Sequence, residues 1–286
     1  MLKFLLDSAQ YMEFVSKTAC SGDYVSKRSC EWYHGSWQYL RILDMVSSPT
    51  WHSNFYTSEI NKALKNKAPL NILISGTADY SMLAMLHLSL NENISHCNIT
   101  ILDLCKTPLI MCKWYADKSG LTITTIQNDI LSLKHCQYDL IITDAFLTRF
   151  KTTGKKLVLK KWWELLSERG RVITTIRLAE SLHDGSIELT PNQISEFKKK
   201  AYESAVKIKQ LMPITPEEVA RKAEQYATNI ISYPITIDII KSMFITAGFD
   251  FEQISGRRTK GEVVSTTYTE IVAIKKTANN EEDNYV

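Results

Sequence analysis

Four carboxylates hold most of the chemistry that can be read along this chain. Asp79, Asp103, Asp129 and Asp144 each follow a short run of β-forming residues. Open α/β sheets bind ligands at the carboxyl ends of their strands, so acids repeated at such ends point to one shared site. Gly76 closes the first run, at 70–75, and lets a ligand approach the backbone. The loop that follows reads Gly76-Thr77-Ala78-Asp79-Tyr80 and lacks the G-x-G-x-x-G pattern of a dinucleotide site. Asp79 falls at the start of the next helix, where a bound pyrophosphate would meet its negative charge. An acid there is compatible with a cationic ligand, and equally with a plain helix cap.

Asp103 ends the second run, and its carboxylate can accept hydrogen bonds from both hydroxyls of a ribose. It lies somewhat further from Gly76 than the spacing of about 20 residues usual for such an acid. Asp129, in Asn128-Asp129-Ile130, can accept from an adenine amine while Leu104 or Ile130 packs on the ring. Asp144 follows the fourth run, beside Phe146. A cationic adenosine derivative suits the set. S-adenosylmethionine, with its sulfonium and amino groups, is the cofactor expected. An NAD-binding dehydrogenase is disfavoured by Asp79 and by the missing glycines.

The aromatic N-terminal region adds candidates. Tyr33, Trp37 and Arg41 share one face of a predicted helix over 31–46, which Pro49 is expected to end. Arg41 can pair with a methionine carboxylate, and Tyr33 or Trp37 can face a sulfonium. The same stripe also reads as a face that merely docks the helix. His34, on the neighbouring face, is a candidate base or a structural histidine. Arg149, just after the fourth strand, and Arg177, at the end of the fifth, can meet an anionic substrate or pair with local acids. The six cysteines contain no C-x-x-C pair. They are read as reduced thiols with no metal bound.

These residues need elements to position them. Residues 1–65 lack strand patterns and are expected to form a helical cap. From Pro69, strands at 70–75, 98–103, 121–127, 138–144 and 171–177 alternate with helices at 79–90, 107–119 and 154–167. Thr107 is the expected N-cap of the second helix, with Pro108 in its first turn. Such alternation predicts a parallel sheet with helices on both faces. Two polar helices at 190–211 and 215–228 form an insertion, spanning about 185–230, after the fifth strand. A helix at 234–247 and strands at 249–255 and 266–274, joined by a turn at 256–261, close the domain 66–276. The sheet is thus seven-stranded and mostly parallel, a Rossmann-like α/β fold. The tail 277–286 is polar and expected to be disordered.

The strand-end motifs resemble those of the class I S-adenosylmethionine-dependent methyltransferases. The matching pieces are N-I-L-I-S-G-T-A-D at 71–79, I-T-I-L-D at 99–103, Q-N-D-I at 127–130, Y-D-L-I-I-T-D at 138–144 and L-L-S-E-R-G-R-V-I at 165–173. The resemblance implies that Gly76, Thr77, Ala78 and Asp79 hold the methionine part, Asp103 the ribose, and Asp129 the adenine. The first motif departs from the family in having Ile74 where an acid is usual, and Ala78 and Tyr80 where glycines are usual.

The expected activity is methyl transfer to an oxygen or nitrogen of a small molecule, with Asp144, Tyr33 or His34 as base. The alternatives are an enzyme that transfers or cyclises the aminobutyryl arm, and a non-catalytic cofactor-binding module. A net charge of +3 gives no basic groove for nucleic acid. No apolar run approaches the roughly 20 residues of a membrane span. The N-terminal apolar patch is broken by Asp7 and Glu13, so no signal peptide is expected and a cytoplasmic location is. A homodimer is compatible with the sequence.

Overall fold

The computed structural model describes residues 2–20, 29–66, 69–134, 137–179, 185–259 and 266–276. The tail 277–286, expected to be disordered, lies outside them. So does Cys136.

Ile72, Leu73 and Ile74 are wholly buried, as a continuous apolar run in a central strand must be. They form β1 (Asn71–Ser75), which pairs in parallel with β2 (Asn98–Asp103) on one side and β4 (Tyr138–Thr143) on the other. β3 (Thr124–Gln127) and β5 (Leu166–Arg177) extend the parallel sheet. β7 (Thr266–Lys275) then inserts antiparallel between β5 and β6 (Phe249–Thr259). The order is β3-β2-β1-β4-β5-β7-β6. It reverses direction between β1 and β4, which opens a crevice at their carboxyl ends.

Side chains alternate across the sheet. Ile72 and Ile74 join one apolar core, and Leu73 joins a second. On the second face lie α6 (Thr152–Leu165) and α9 (Ile237–Thr246). The first face carries α4 (Ser81–Leu90), α5 (Lys106–Ser119) and the N-terminal helices α1 (Leu2–Ala19), α2 (Glu31–Ile42) and α3 (Ser53–Asn66). α3 packs on α4, whereas α1 and α2 pack on each other. The insertion forms α7 (Pro191–Lys207) and α8 (Pro216–Asn229), each opened by a threonine capping box. α8 lies against α2, so the N-terminal helices and the insertion together form a roof.

Several boundaries differ from expectation. α2 stops at Ile42, because Asp44 takes a left-handed conformation at φ 56°. Pro49 opens a short 3-10 turn leading into α3 rather than ending a helix, since its missing N–H costs nothing in a first turn. Cys105, not Thr107, is the N-cap residue of α5, and Thr107 is buried in the first turn. β6 continues through Gly256, where a turn was expected. Among the described residues no helix is long and apolar enough to cross a membrane.

Candidate functional site

A cavity of about 410 Å³ opens at the carboxyl edge of the sheet, under the roof. Its floor begins at Gly76, whose N–H donates to Leu102 O at 2.8 Å. Gly76 has φ +75°, and a Cβ there would lie 2.3 Å from the Phe146 ring. The glycine is therefore required twice, by its backbone and by the aromatic ring packed on it.

Asp103 is firmly held in the cavity wall. Its Oδ2 accepts from Thr77 N at 3.0 Å and its Oδ1 from Cys105 N at 2.7 Å. Desolvation by the surrounding walls pushes its carboxyl up to about 6, against these two hydrogen bonds, which lower it. A carboxylate has roughly four acceptor positions. The two amides occupy two, leaving capacity for a pair of hydroxyls. Leu104, 40% exposed, and Gln127 also line the cavity, and Gln127 Nε2 donates to Leu104 O at 3.3 Å.

Asp144 is fixed as firmly. Its Oδ1 accepts from Tyr56 Oη at 2.9 Å and Thr175 Oγ1 at 2.7 Å. Ala145, at φ 50°, turns the chain so that its N–H donates to Thr175 Oγ1 at 3.1 Å. This brings Phe146 round over Gly76.

In the roof, Tyr33 stacks on Trp37 at 4.9 Å and on Tyr226 of α8 at 5.8 Å. Trp37 Nε1 is buried with no hydrogen-bond partner among the described residues, a donor available to a ligand. Burial, then the neighbouring Tyr226, push the Tyr33 hydroxyl well above its ordinary value. It is therefore no base at neutral pH. The Arg149 guanidinium lies 5.9 Å over the Tyr33 ring, and Arg177 Nη1 donates to Ser232 Oγ at 3.3 Å. Both arginines line the cavity.

Other expected residues are placed elsewhere. Arg41 and Asp79 form a buried ion pair with each other, and neither lines the cavity. Asp79 Oδ1 also accepts from Ser81 N at 2.7 Å, which ties it to the first residue of α4, although the N-cap residue is Tyr80. A buried acid and a buried guanidinium must pair, which removes Arg41 from the ligand. Asp129 caps a 3-10 turn through Leu131 N at 2.9 Å, and Ile130 is buried in the second core. Asn128 Oδ1 accepts from Asp129 N, and none of the three lines the cavity. His34 lines it, but its Nδ1 faces Cys20 Sγ at 3.2 Å and Cys105 Sγ at 3.6 Å. The imidazole is taken up by thiols rather than presented as a base.

No family model matches the chain, and no curated protein does. Solved structures match. An S-adenosylmethionine-dependent methyltransferase from Methanosarcina mazei superposes with a TM-score of 0.52 at 14% identity, covering 74% of this chain and 96% of that one. One from Clostridium acetobutylicum gives 0.51 at 12%, covering 84% and 96%. A magnesium protoporphyrin IX methyltransferase from Synechocystis, with S-adenosylhomocysteine bound, gives 0.50 at 13%, covering 96% and 99%. The chain has the Rossmann-like methyltransferase fold.

Within that fold, sequence reasoning missed Gln127, Tyr56, Thr175 and Tyr226 as parts of the site. Gln127 opens the Q-N-D-I motif at 127–130, in which only Asn128, Asp129 and Ile130 are singled out for a role. The other three offered no local signal, because each reaches the site from an element distant in the chain.

Proposed function

We propose that the chain is an S-adenosylmethionine-dependent methyltransferase acting on a small molecule enclosed by the cavity. The observation that carries this reading is Asp103, held by an amide from each of the loops after β1 and β2 with acceptor capacity left for a ribose. The donor set fits the cofactor in other respects too. Leu104 and Gln127 offer an apolar face and an amide for the adenine, and Trp37 Nε1 is a buried donor with no partner among the described residues. When bound, S-adenosylmethionine supplies a methyl group on a cationic sulfur whose departure leaves a neutral thioether.

The protein's part is then to bind, align and exclude water. Tyr33 and Trp37 offer aromatic faces to a cation. Asp144, fixed by Tyr56 and Thr175, is the favoured group to take a proton from an acceptor hydroxyl or ammonium. Arg149 and Arg177 favour an acceptor bearing a carboxylate or phosphate. Calorimetric titration tests the binding step. If neither S-adenosylmethionine nor S-adenosylhomocysteine binds, the reading fails.

One observation favours a second reaction at the same site. Phe146 packs on Gly76, where the family resemblance puts the methionine part. An arm turned away from that glycine would suit aminobutyryl transfer or cyclisation. Mass spectrometry of the by-product separates the two, since methyl transfer yields S-adenosylhomocysteine and arm chemistry yields methylthioadenosine.

A further inference from the structure

Three cysteines and a histidine far apart in sequence converge on one side of the cavity. Cys20 directly follows α1, Cys30 precedes α2, His34 lies in its first turn, and Cys105 precedes α5. Cys20 Sγ is 3.2 Å from His34 Nδ1 and 3.7 Å from Cys105 Sγ. Cys105 Sγ is 3.5 Å from Cys30 Sγ and 3.6 Å from His34 Nδ1. All four ligand atoms lie within 4.8 Å of one another.

We propose that Cys20, Cys30, His34 and Cys105 bind one zinc ion. Tetrahedral zinc, with bonds of about 2.3 Å to sulfur and about 2.0 Å to nitrogen, requires edges of about 3.8 Å between sulfurs and about 3.6 Å from sulfur to nitrogen. The short distances in the cluster match these edges. They are far from the roughly 2.05 Å of a disulfide. A set of three thiolates and one imidazole in tetrahedral array selects zinc over harder cations. Four protein ligands leave no open position, so the ion is structural and not the seat of the reaction. Its binding releases the thiol protons to solvent. Thr107 Oγ1, 3.0 Å from Cys20 Sγ, is placed to donate to that thiolate.

The absence of a C-x-x-C pair concealed this arrangement, because only Cys30 and His34 are neighbours in sequence. The ion would tie the start of α2 and the end of the first helix to the loop whose Cys105 N–H holds Asp103. This last consequence rests on the cofactor reading. The metal site itself does not.

Metal analysis of the full chain, reconstituted with zinc and cleared of excess by gel filtration, provides the test. One zinc per chain is expected. Cobalt(II) exchanged into the site should give a sulfur-to-metal charge-transfer band and the intense visible bands of a tetrahedral thiolate centre. Cys30→Ala and His34→Ala should each weaken retention against a chromogenic chelator by about tenfold or more. Cys97→Ser, outside the cluster, should leave it unchanged. The cobalt spectrum is read on the unaltered chain, so it decides the matter even where a variant fails to fold. A chain that takes up neither zinc nor cobalt overturns the proposal. So does metal held equally well by the Cys30 and His34 variants, or a Cys30–Cys105 disulfide that forms in the presence of zinc. Zinc uptake without S-adenosylmethionine binding would refute the cofactor reading alone, and cofactor binding without zinc uptake would refute the metal site alone.

Discussion

Asp103 and Gly76 are linked through Thr77, whose N–H holds the acid while the glycine turns the loop beneath it. If Asp103 holds the ribose as proposed, Asp103→Ala removes a charge-assisted contact worth roughly 1.5–3 kcal/mol and should raise the dissociation constant for S-adenosylmethionine about tenfold or more. Calorimetry checks this, and unchanged affinity would mean that the ribose lies elsewhere. Gly76→Ala acts on the fold instead. Its Cβ meets the Phe146 ring in a backbone conformation that disfavours a side chain, so a loss of about 1–3 kcal/mol is expected. The urea midpoint should fall with little change in slope. Shortening the ring in Gly76→Ala/Phe146→Leu should recover part of that loss. If it recovers none, the contact with Phe146 is not the source.

Among the elements, the roof depends on a contact between α8 and α1. Glu13 accepts from Tyr39 Oη at 2.8 Å and pairs with Lys222 Nζ of α8 at 2.9 Å. Lys222 Nζ also donates to Gly35 O at 3.2 Å. Burial raises the Glu13 carboxyl, but the bonds from Lys222 and Tyr39 outweigh it and leave it below its ordinary value of 4.5. A carboxylate with a depressed folded value stabilises fully above its unfolded value and loses that stabilisation as pH falls through the folded one. Glu13→Gln should therefore melt earlier than the unaltered chain at pH 7. The gap should narrow as pH falls below the ordinary value of 4.5 and close once it has passed the lowered folded value, as Glu13 itself becomes protonated. A gap that is constant with pH would show that the ionised form of Glu13 does not hold the roof.

For the whole molecule, the cavity is closed by two segments that meet only in the fold. Tyr226 of the insertion stacks between Tyr33 of α2 and Phe197 of α7. Ligand binding should therefore protect α2 and α8 together from amide hydrogen exchange, along with the loops after β1 and β2. Protection confined to the two loops would mean that the roof is not part of the site. Tyr226→Ala should weaken that coupling and raise the KM for the acceptor more than it lowers kcat, if the ring positions substrate rather than reacting.

The repeated exchange of β-rich runs for amphipathic ones determined the sheet, its parallel pairing and the insertion, because periodicity is a local property of the chain. Gly76, Asp103 and Asp144 were legible as cavity-lining residues for the same reason, since each ends a run whose direction places it at the edge of the sheet where the cavity opens. Tertiary structure alone decided which of the candidate groups remain available to a ligand. Arg41 and Asp79 neutralise each other because both are buried, and that fact depends on α2 packing against the loop after β1. Likewise, Tyr56, Thr175 and Tyr226 became parts of the site through packing between elements distant in sequence. Cys20, Cys30, His34 and Cys105 meet for the same reason, as no pattern of spacing encodes where the end of one helix will touch the start of another.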